Sequence, residues 1–219
     1  MKYRLSILLF LFINQNNIDA QSRYVFQNNT HSFKLTLNWF DKTSMWGASD
    51  STVKSIEVTR LKDNKIIQEI IPEENYITDK KHELIFDDFN FDGFIDFKLF
   101  SFEAKHGQTG YQFYLYDPIK QKYYYSKEIA SILDNADVDK EKKTLSHIYR
   151  LMGGDYQQVV CTYVSGKLTI IEQREDKNFE GNKIEIIIKK RINGKLKVIK
   201  HQIISEEEYI KMEDRIMPI

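Results

Sequence analysis

Only one cysteine, Cys161, occurs in the 219 residues. No intramolecular disulfide can brace the fold, and no second thiol is present for redox work. Cys161 lies in the apolar run Val159-Val-Cys-Thr-Tyr-Val164, where a buried, inert thiol is expected. Long apolar runs are missing as well. Leu5 to Ile13 spans nine residues, against the ~20 that a membrane-crossing helix needs, so no stable membrane insertion is expected, with an uncleaved anchor as the alternative. There is no G-x-S-x-G elbow, no Walker loop and no H-E-x-x-H. The five histidines, at 31, 82, 106, 147 and 201, are scattered without metal-ligand spacing. His82-Glu83 and Asp87-Asp88 are candidate acid/base pairs, but solvated or metal-bound roles account for them more simply, so no catalytic residue is assigned and no enzyme is expected. No Pro/Ser-rich linker divides the chain, and no repeat of roughly 40 residues signals a multi-bladed propeller.

Charge of either sign is not in excess, with 32 basic and 32 acidic side chains. That balance calls for neither nucleic acid nor an anionic membrane. The N-terminus reads as an export signal: Lys2 and Arg4 precede the apolar core, and Ile18-Asp-Ala20 precedes a cleavage point before Gln21. No cysteine follows that core, so the lipoprotein form of the signal is absent. Residues 1–20 are therefore expected to be removed, leaving 21–219 as one domain in the periplasm or outside the cell. Without Lys2, Arg4 and Asp19 the net charge is near −1.

The densest chemistry lies in Asp88-Phe-Asn-Phe-Asp-Gly-Phe-Ile-Asp96. Oxygen-bearing side chains recur at every second position and glycine stands at the turn, which is the spacing of an EF-hand-type Ca²⁺ loop. In this reading Asp88, Asn90 and Asp92 offer side-chain oxygens and Phe94 its carbonyl. Asp96 ligates directly or through a water. Position 12, where a bidentate Glu belongs, is Leu99, and the flanks alternate in period two rather than 3.6. The loop is thus expected to join strands, as in the calcium loops of integrin-type propeller repeats. A plain Asx turn is the simpler alternative, but three carboxylates in nine residues repel one another without a cation.

The rest of the pattern is β-rich, and 14 Phe and 13 Tyr can supply a core. Alternation marks residues 32–39, 53–59 and 65–71 as strands, the last following the turn signal Asp63-Asn64. Asp117-Pro118 separates 111–116 from 122–126, Ser165-Gly166 separates 157–164 from 167–173, and Asn193-Gly194 separates 183–192 from 195–204. Ser126 is an N-cap candidate for two short helical turns with Ile129, Ile132 and Leu133 inward, and Glu206 to Arg215 is a candidate terminal helix. Residues 40–51 and 134–145 are polar and read as exposed loops. The pattern predicts an all-β fold of antiparallel sheets, a sandwich or partial propeller with one or two short helices. Tyr123-Tyr-Tyr125 between Lys122 and Lys127 offers stacking faces, which a half-buried strand explains more economically.

Lys105-His-Gly-Gln-Thr-Gly-Tyr111 connects the strand after the acidic loop to the next. Its two glycines permit backbone shapes closed to other residues, and such loops carry function on β scaffolds. His106, Gln108 and Tyr111 are the candidate partner-binding residues, with an ordinary hairpin turn as the alternative.

The run Phe86-Asp-Asp-Phe-Asn-Phe-Asp-Gly-Phe-Ile-Asp96, the glycine loop, Tyr111-Gln-Phe-Tyr-Leu-Tyr-Asp117 and Lys122 to Leu133 together resemble an exported bacterial family. That family includes the immunity protein of a type IV secretion antibacterial system and is similar in structure to periplasmic inhibitors of invertebrate-type lysozyme. The resemblance covers about residues 80–175. It implies a lysozyme-inhibitor-like β fold, Ca²⁺ held by Asp88, Asn90, Asp92 and Asp96, and a partner that is a peptidoglycan hydrolase. Inhibitors of related type present Ser-Gly-x-x-Tyr, whereas the loop here is His106-Gly-Gln-Thr-Gly-Tyr111. Ser165-Gly166 is followed by Leu168 and Thr169 instead. The expected role is an inhibitor or immunity protein. The alternative is a secreted or surface module for carbohydrate or adhesion, with calcium purely structural.

Overall fold

A computed structural model describes residues 21–27, 32–43, 49–73, 84–104 and 107–217. The expected signal segment, His106 and Pro218 lie outside the described residues. Among the described residues the chain is mostly β, with three antiparallel sheets, two short helices and no closed barrel. In chain order the first sheet holds β1 (Gln21–Gln27), β2 (Ser32–Thr43), β3 (Ser49–Arg60) and β4 (Lys65–Ile70). The second holds β5 (Leu84–Asp87), β6 (Asp96–Glu103), β7 (Thr109–Asp117) and β8 (Lys122–Tyr125). Helix α1 (Lys127–Ala130) leads to the third sheet, formed by β9 (Asp137–Asp139), β10 (Thr144–Arg150), β11 (Tyr156–Val164), β12 (Lys167–Phe179), β13 (Lys183–Ile192) and β14 (Lys195–Ser205). Helix α2 (Glu206–Ile210) follows. Within each sheet every strand lies beside its neighbour in sequence, so the topology is three successive meanders.

Turn chemistry accounts for this order. Asn193-Gly194 and Ser165-Gly166 both adopt positive φ (51° and 78°; 50° and 77°), the backbone that a two-residue hairpin needs to match strand twist. Asn64 (φ 53°) closes the β3–β4 turn. Two segments read as loops contain strands instead. β2 runs to Thr43 and β3 starts at Ser49, and β9 pairs with β10 through Asp139↔Thr144 and Val138↔Leu145. Strand pairing is a backbone interaction, so a polar run such as Asp137-Val-Asp139 can pair without a period-two signal.

The chain falls into two compact units, and the division lies inside strands β5 to β8 rather than at a linker. The first unit comprises the described residues up to Ile85 with Leu99–Phe102 and Tyr116–Tyr124. Phe33, Leu35 and Leu37 of β2 bury one face against Ile56 and Val58 of β3. Val53 is out of phase with Ile56, and a bulge opposite Asn38/Trp39 absorbs Lys54 as the extra residue, so Val53 pairs with Trp39 and stays buried. Phe33, Tyr116 and Tyr123 form an aromatic group, with Phe33–Tyr116 and Tyr116–Tyr123 centroids 5.4 and 5.2 Å apart. The Gln68 amide donates to Tyr123 O (2.7 Å) and accepts from Tyr123 N (2.8 Å), replacing a strand partner.

The second unit holds Phe86–Lys98, Glu103–Leu115 and the chain from Tyr125. β7 is buried on both faces from Gly110 to Tyr116. Phe97 stacks on Tyr114 at 4.9 Å and Phe89 meets Phe113 edge-on at 5.3 Å. Ser126 caps α1 by accepting from Ile129 N, and Ile129 and Leu133 are fully buried. α2 carries a capping box between Ser205 and Glu208. It ends at Ile210, earlier than Arg215, because Arg215 turns back and donates to the Ile210 and Met212 carbonyls (3.1 and 3.0 Å).

A buried polar clasp secures the C-terminal segment. Arg174 forks onto Asp176 (2.8 and 3.0 Å), reaches Asp214 Oδ2 (2.8 Å) and is 4 % exposed. Tyr209 donates to Asp176 Oδ2 (2.6 Å) and its hydroxyl oxygen accepts from Ile216 N and Met217 N (3.1 and 2.8 Å). Ile184, Ile186 and Met217 pack around it. Breaking one partner of such a group strands the rest, so Asp176→Ala is expected to cost about 3–5 kcal/mol and Tyr209→Phe about 1–3 kcal/mol. Urea unfolding of both variants measures this. Cys161 is fully buried, and burial pushes its thiol up to about 11. It is expected to resist alkylation at neutral pH until the protein is unfolded, which a mass-shift assay with and without denaturant reads directly.

Candidate functional site

The acidic loop joins β5 to β6, as its period-two flanks predict. Asp88 is its hub. One carboxylate oxygen accepts from Asp92 N (3.1 Å) and the other from Gly93 N (2.8 Å). Asn90 Oδ1 accepts from the same Asp92 N (3.1 Å), its Nδ2 donates to Asp92 Oδ2 (2.8 Å), and Asp92 Oδ1 accepts from Phe94 N (2.8 Å). Phe91 and Gly93 take positive φ, 60° and 89°. For phenylalanine this is a strained backbone, held by the surrounding side-chain bonds. Burial is the largest influence on Asp88 and pushes its carboxyl up, the Asp92 charge adds to that, and the backbone amides oppose it.

Asp96 is placed differently. It is fully buried and accepts from Phe89 N (2.9 Å), closing the loop from inside. Among the described residues no three His, Cys, Asp or Glu side chains gather as a metal site on their own. A cation here would draw on Asp88 and Asp92, the Asn90 amide oxygen and backbone carbonyls. That all-oxygen set fits a hard cation. Each bonded carboxylate oxygen also keeps a second lone pair for a ligand.

Lys98 connects this loop to its surroundings. It lies two residues beyond Asp96 and is 4 % exposed. Its ammonium donates to Asn135 Oδ1 (2.5 Å) and Ala136 O (2.8 Å). It also faces the Tyr111 and Phe89 rings at 4.7 and 5.8 Å. Burial pulls Lys98 down to about 8, against the raising effect of Asp137 and Asp87. Asn135 in turn donates to Thr109 Oγ1 (3.3 Å), and Tyr111 N donates to Asp134 O (2.7 Å).

The glycine loop between β6 and β7 is closed by Ala104 N donating to Gln108 O (2.7 Å). Tyr111, read as a partner contact, is 8 % exposed and packs under Lys98. Gln108 is half-buried, and with its amide oxygen and nitrogen exchanged, the assignment that satisfies both, it accepts from Arg150 N (2.6 Å) and donates to Arg150 O (3.2 Å). Sequence reading missed what this contact positions. Past Arg150 the β10–β11 connection presents Leu151 (40 % exposed) and Met152 (94 % exposed) on a 3-10 turn, Met152–Gly154. Arg150 to Gly154 line a cleft of about 430 Å³. The signal was legible: Met152-Gly-Gly-Asp-Tyr156 repeats the Ser-Gly-x-x-Tyr spacing with Met152 in place of serine.

No protein-family model matches the chain, and no curated protein matches it. A solved structure described as that of a Xanthomonas type IV secretion system related protein matches with a TM-score of 0.60 at 14 % identity, covering 88 % of this chain and 99 % of that one. The chain therefore shares the fold of a protein related to a type IV secretion system.

The Lys98 environment makes a directional prediction. Asn135→Ala leaves a buried ammonium short of an acceptor and is expected to cost about 1–3 kcal/mol. Lys98→Met removes the charge while keeping a long side chain, so it is expected to be less damaging than Asn135→Ala. Parallel thermal melts rank the two.

Proposed function

We propose that this protein is an exported, calcium-braced β protein that binds and blocks a lysozyme-like peptidoglycan hydrolase. The observation that carries the reading is Met152, almost fully exposed on a glycine-rich turn whose stem is bonded to Gln108. Leu151 and Met152 are adjacent and both exposed beside a cleft, an arrangement that an anchor for a partner's pocket would use. The fold shared with a type IV secretion related protein and the Gly-x-x-Tyr spacing support the same reading.

Blocking would be steric. Leu151 and Met152 would enter the substrate groove and cover the carboxylates that cleave glycan, with no chemistry supplied by this chain. Calcium would be held by Asp88, Asn90 and Asp92 with the Phe94 carbonyl, and would offset their mutual repulsion. Asp96, although bonded to Phe89, would tie the loop to β6. The link from there through Lys98, Asn135 and Thr109 to Gln108 would stiffen the binding loops. Export puts the loop where calcium is abundant and weak sites suffice.

Inhibition assays against a panel of peptidoglycan hydrolases, including one encoded beside this gene, test the reading. Burying a methionine contributes roughly 1.5–3 kcal/mol, so Met152→Glu is expected to weaken inhibition by at least about tenfold without lowering the melting temperature. No effect of the wild-type protein on any hydrolase would sink the proposal, and glycan binding without inhibition would favour the carbohydrate module. For the metal, millimolar Ca²⁺ is expected to raise the melting temperature over EGTA, and Asp92→Ala to abolish that difference. A ligand that binds only the folded state stabilises it by mass action, so identical melts would remove calcium from the account.

A further inference from the structure

The neutral overall charge conceals a strongly uneven distribution. From Ile186 to Ile204 the chain has no Asp or Glu and carries Lys189, Lys190, Arg191, Lys195, Lys197 and Lys200. These residues form the paired arms of the β13–β14 hairpin, closed by Asn193-Gly194. Two of the six are neutralised from β12: Lys189 by Glu175 (2.5 Å) and Lys190 by Glu172 (2.9 Å). Arg191 spends its donors on backbone carbonyls, Ile170 O (2.6 Å) and Gly194 O (2.5 Å), which leave its charge in place. Lys195, Lys197 and Lys200 are exposed and, among the described residues, form no ion pair.

Two further features stand out. Lys190 lies directly opposite Lys197 across the strands, a like-charge pairing that destabilises an isolated sheet. Apolar side chains also stand in solvent among the cations: Ile192 at 42 %, Val198 at 57 % and Ile199 at 48 % exposed. The bulge between Ile188 and Lys189 leaves Ile199 without a cross-strand partner.

Lysines on an edge strand protect against strand-to-strand aggregation, and β14 is an edge. That role explains β14 alone. It leaves unexplained Arg191 of β13, the next strand inward, and the exposed isoleucines and valine. A partner strand added beside β14 would likewise reach only β14. A layer of phosphates with an apolar boundary beneath it meets both arms of the hairpin at once.

We propose that the β13–β14 hairpin, residues 189–200, docks on an anionic phospholipid surface. Phosphate headgroups neutralise Arg191, Lys195, Lys197 and Lys200. Docked tip-first, the hairpin presents both faces to the headgroups, with Ile192 beside Lys195 and Lys197 on one, Val198 on the face of Arg191 on the other, and Ile199 at the bulge, while the lysine stems extend their charges outward. The contact is peripheral and needs no membrane-spanning segment. It stands apart from the hydrolase reading, since neither Met152 nor the acidic loop takes part.

The test is flotation of the full chain with vesicles of phosphatidylcholine alone and with about 30 % phosphatidylglycerol, where each basic side chain near such a surface contributes about fivefold. Binding is expected only to the anionic vesicles, and about 0.5 M salt should reverse it. Lys195→Glu with Lys197→Glu is expected to lower the partition coefficient at least about 25-fold. Val198→Ser with Ile199→Ser should weaken binding at low salt. Lys120→Glu with Lys142→Glu, an equal charge change at exposed lysines elsewhere, should leave binding close to wild type. All these chains share the same N-terminal apolar segment, so the differences report the hairpin, and matching melting temperatures confirm intact folding. Equal binding to both vesicle types, or equal losses in the Lys120/Lys142 control, would overturn the proposal. Capture of an alternating Glu/Val peptide without vesicle binding would overturn it in favour of strand addition at β14.

Discussion

The ammonium of Lys98 is the constraint on which the candidate site depends. A buried cation requires acceptors on every side that water has left. Here they come from neutral groups, Asn135 Oδ1, Ala136 O and the faces of Tyr111 and Phe89. Satisfying that one charge draws together the acidic loop, the start of β7 and the segment after α1, which are remote in sequence. Tyr111 is consumed by this task, which is why the residue most suited by type to a partner contact is buried.

The same logic of complete satisfaction operates at the C-terminus. Arg174, Asp176 and Tyr209 are almost wholly buried, and Asp176 is the shared acceptor of the other two. Tyr209 then receives the amides of Ile216 and Met217, so a short helix and an irregular tail are fixed by polar contacts as well as by apolar packing. A low dielectric strengthens such bonds and raises the cost of losing one. With a single cysteine and no disulfide, polar networks of this kind are what hold segments that have no strand partners.

The acidic loop was legible because its chemistry is local. Asp88, Asn90, Asp92 and Gly93 interact within six residues, and their spacing predicts the turn, while the side-chain-to-amide bonds found there are those of the simpler Asx-turn alternative. The Asn-Gly and Ser-Gly hairpins were legible for the same reason, since a two-residue turn depends on the φ values its own residues tolerate. β9 was not, because Asp137-Val-Asp139 pairs through its backbone and carries no apolar alternation. The extra residue in β3 was hidden too: Val53 and Ile56 look out of phase until the bulge at Lys54 restores them to one face.

What the sequence determined by itself is the β class, the meandering order of the strands and the oxygen-rich loop. All of these arise between residues close along the chain, where turn geometry and side-chain period act directly. Tertiary structure alone decided which loop stands free. Gln108 and Tyr111 are separated from Arg150 and Met152 by about forty residues of sequence, and only folding bonds the first loop down and leaves Met152 in solvent. Tertiary structure also turned a neutral composition into a cationic hairpin, because pairing β13 with β14 brings Lys190 opposite Lys197, while the acids of β12 neutralise only Lys189 and Lys190. Exposure and electrostatic field depend on distance in space, and a linear order of residues does not contain it.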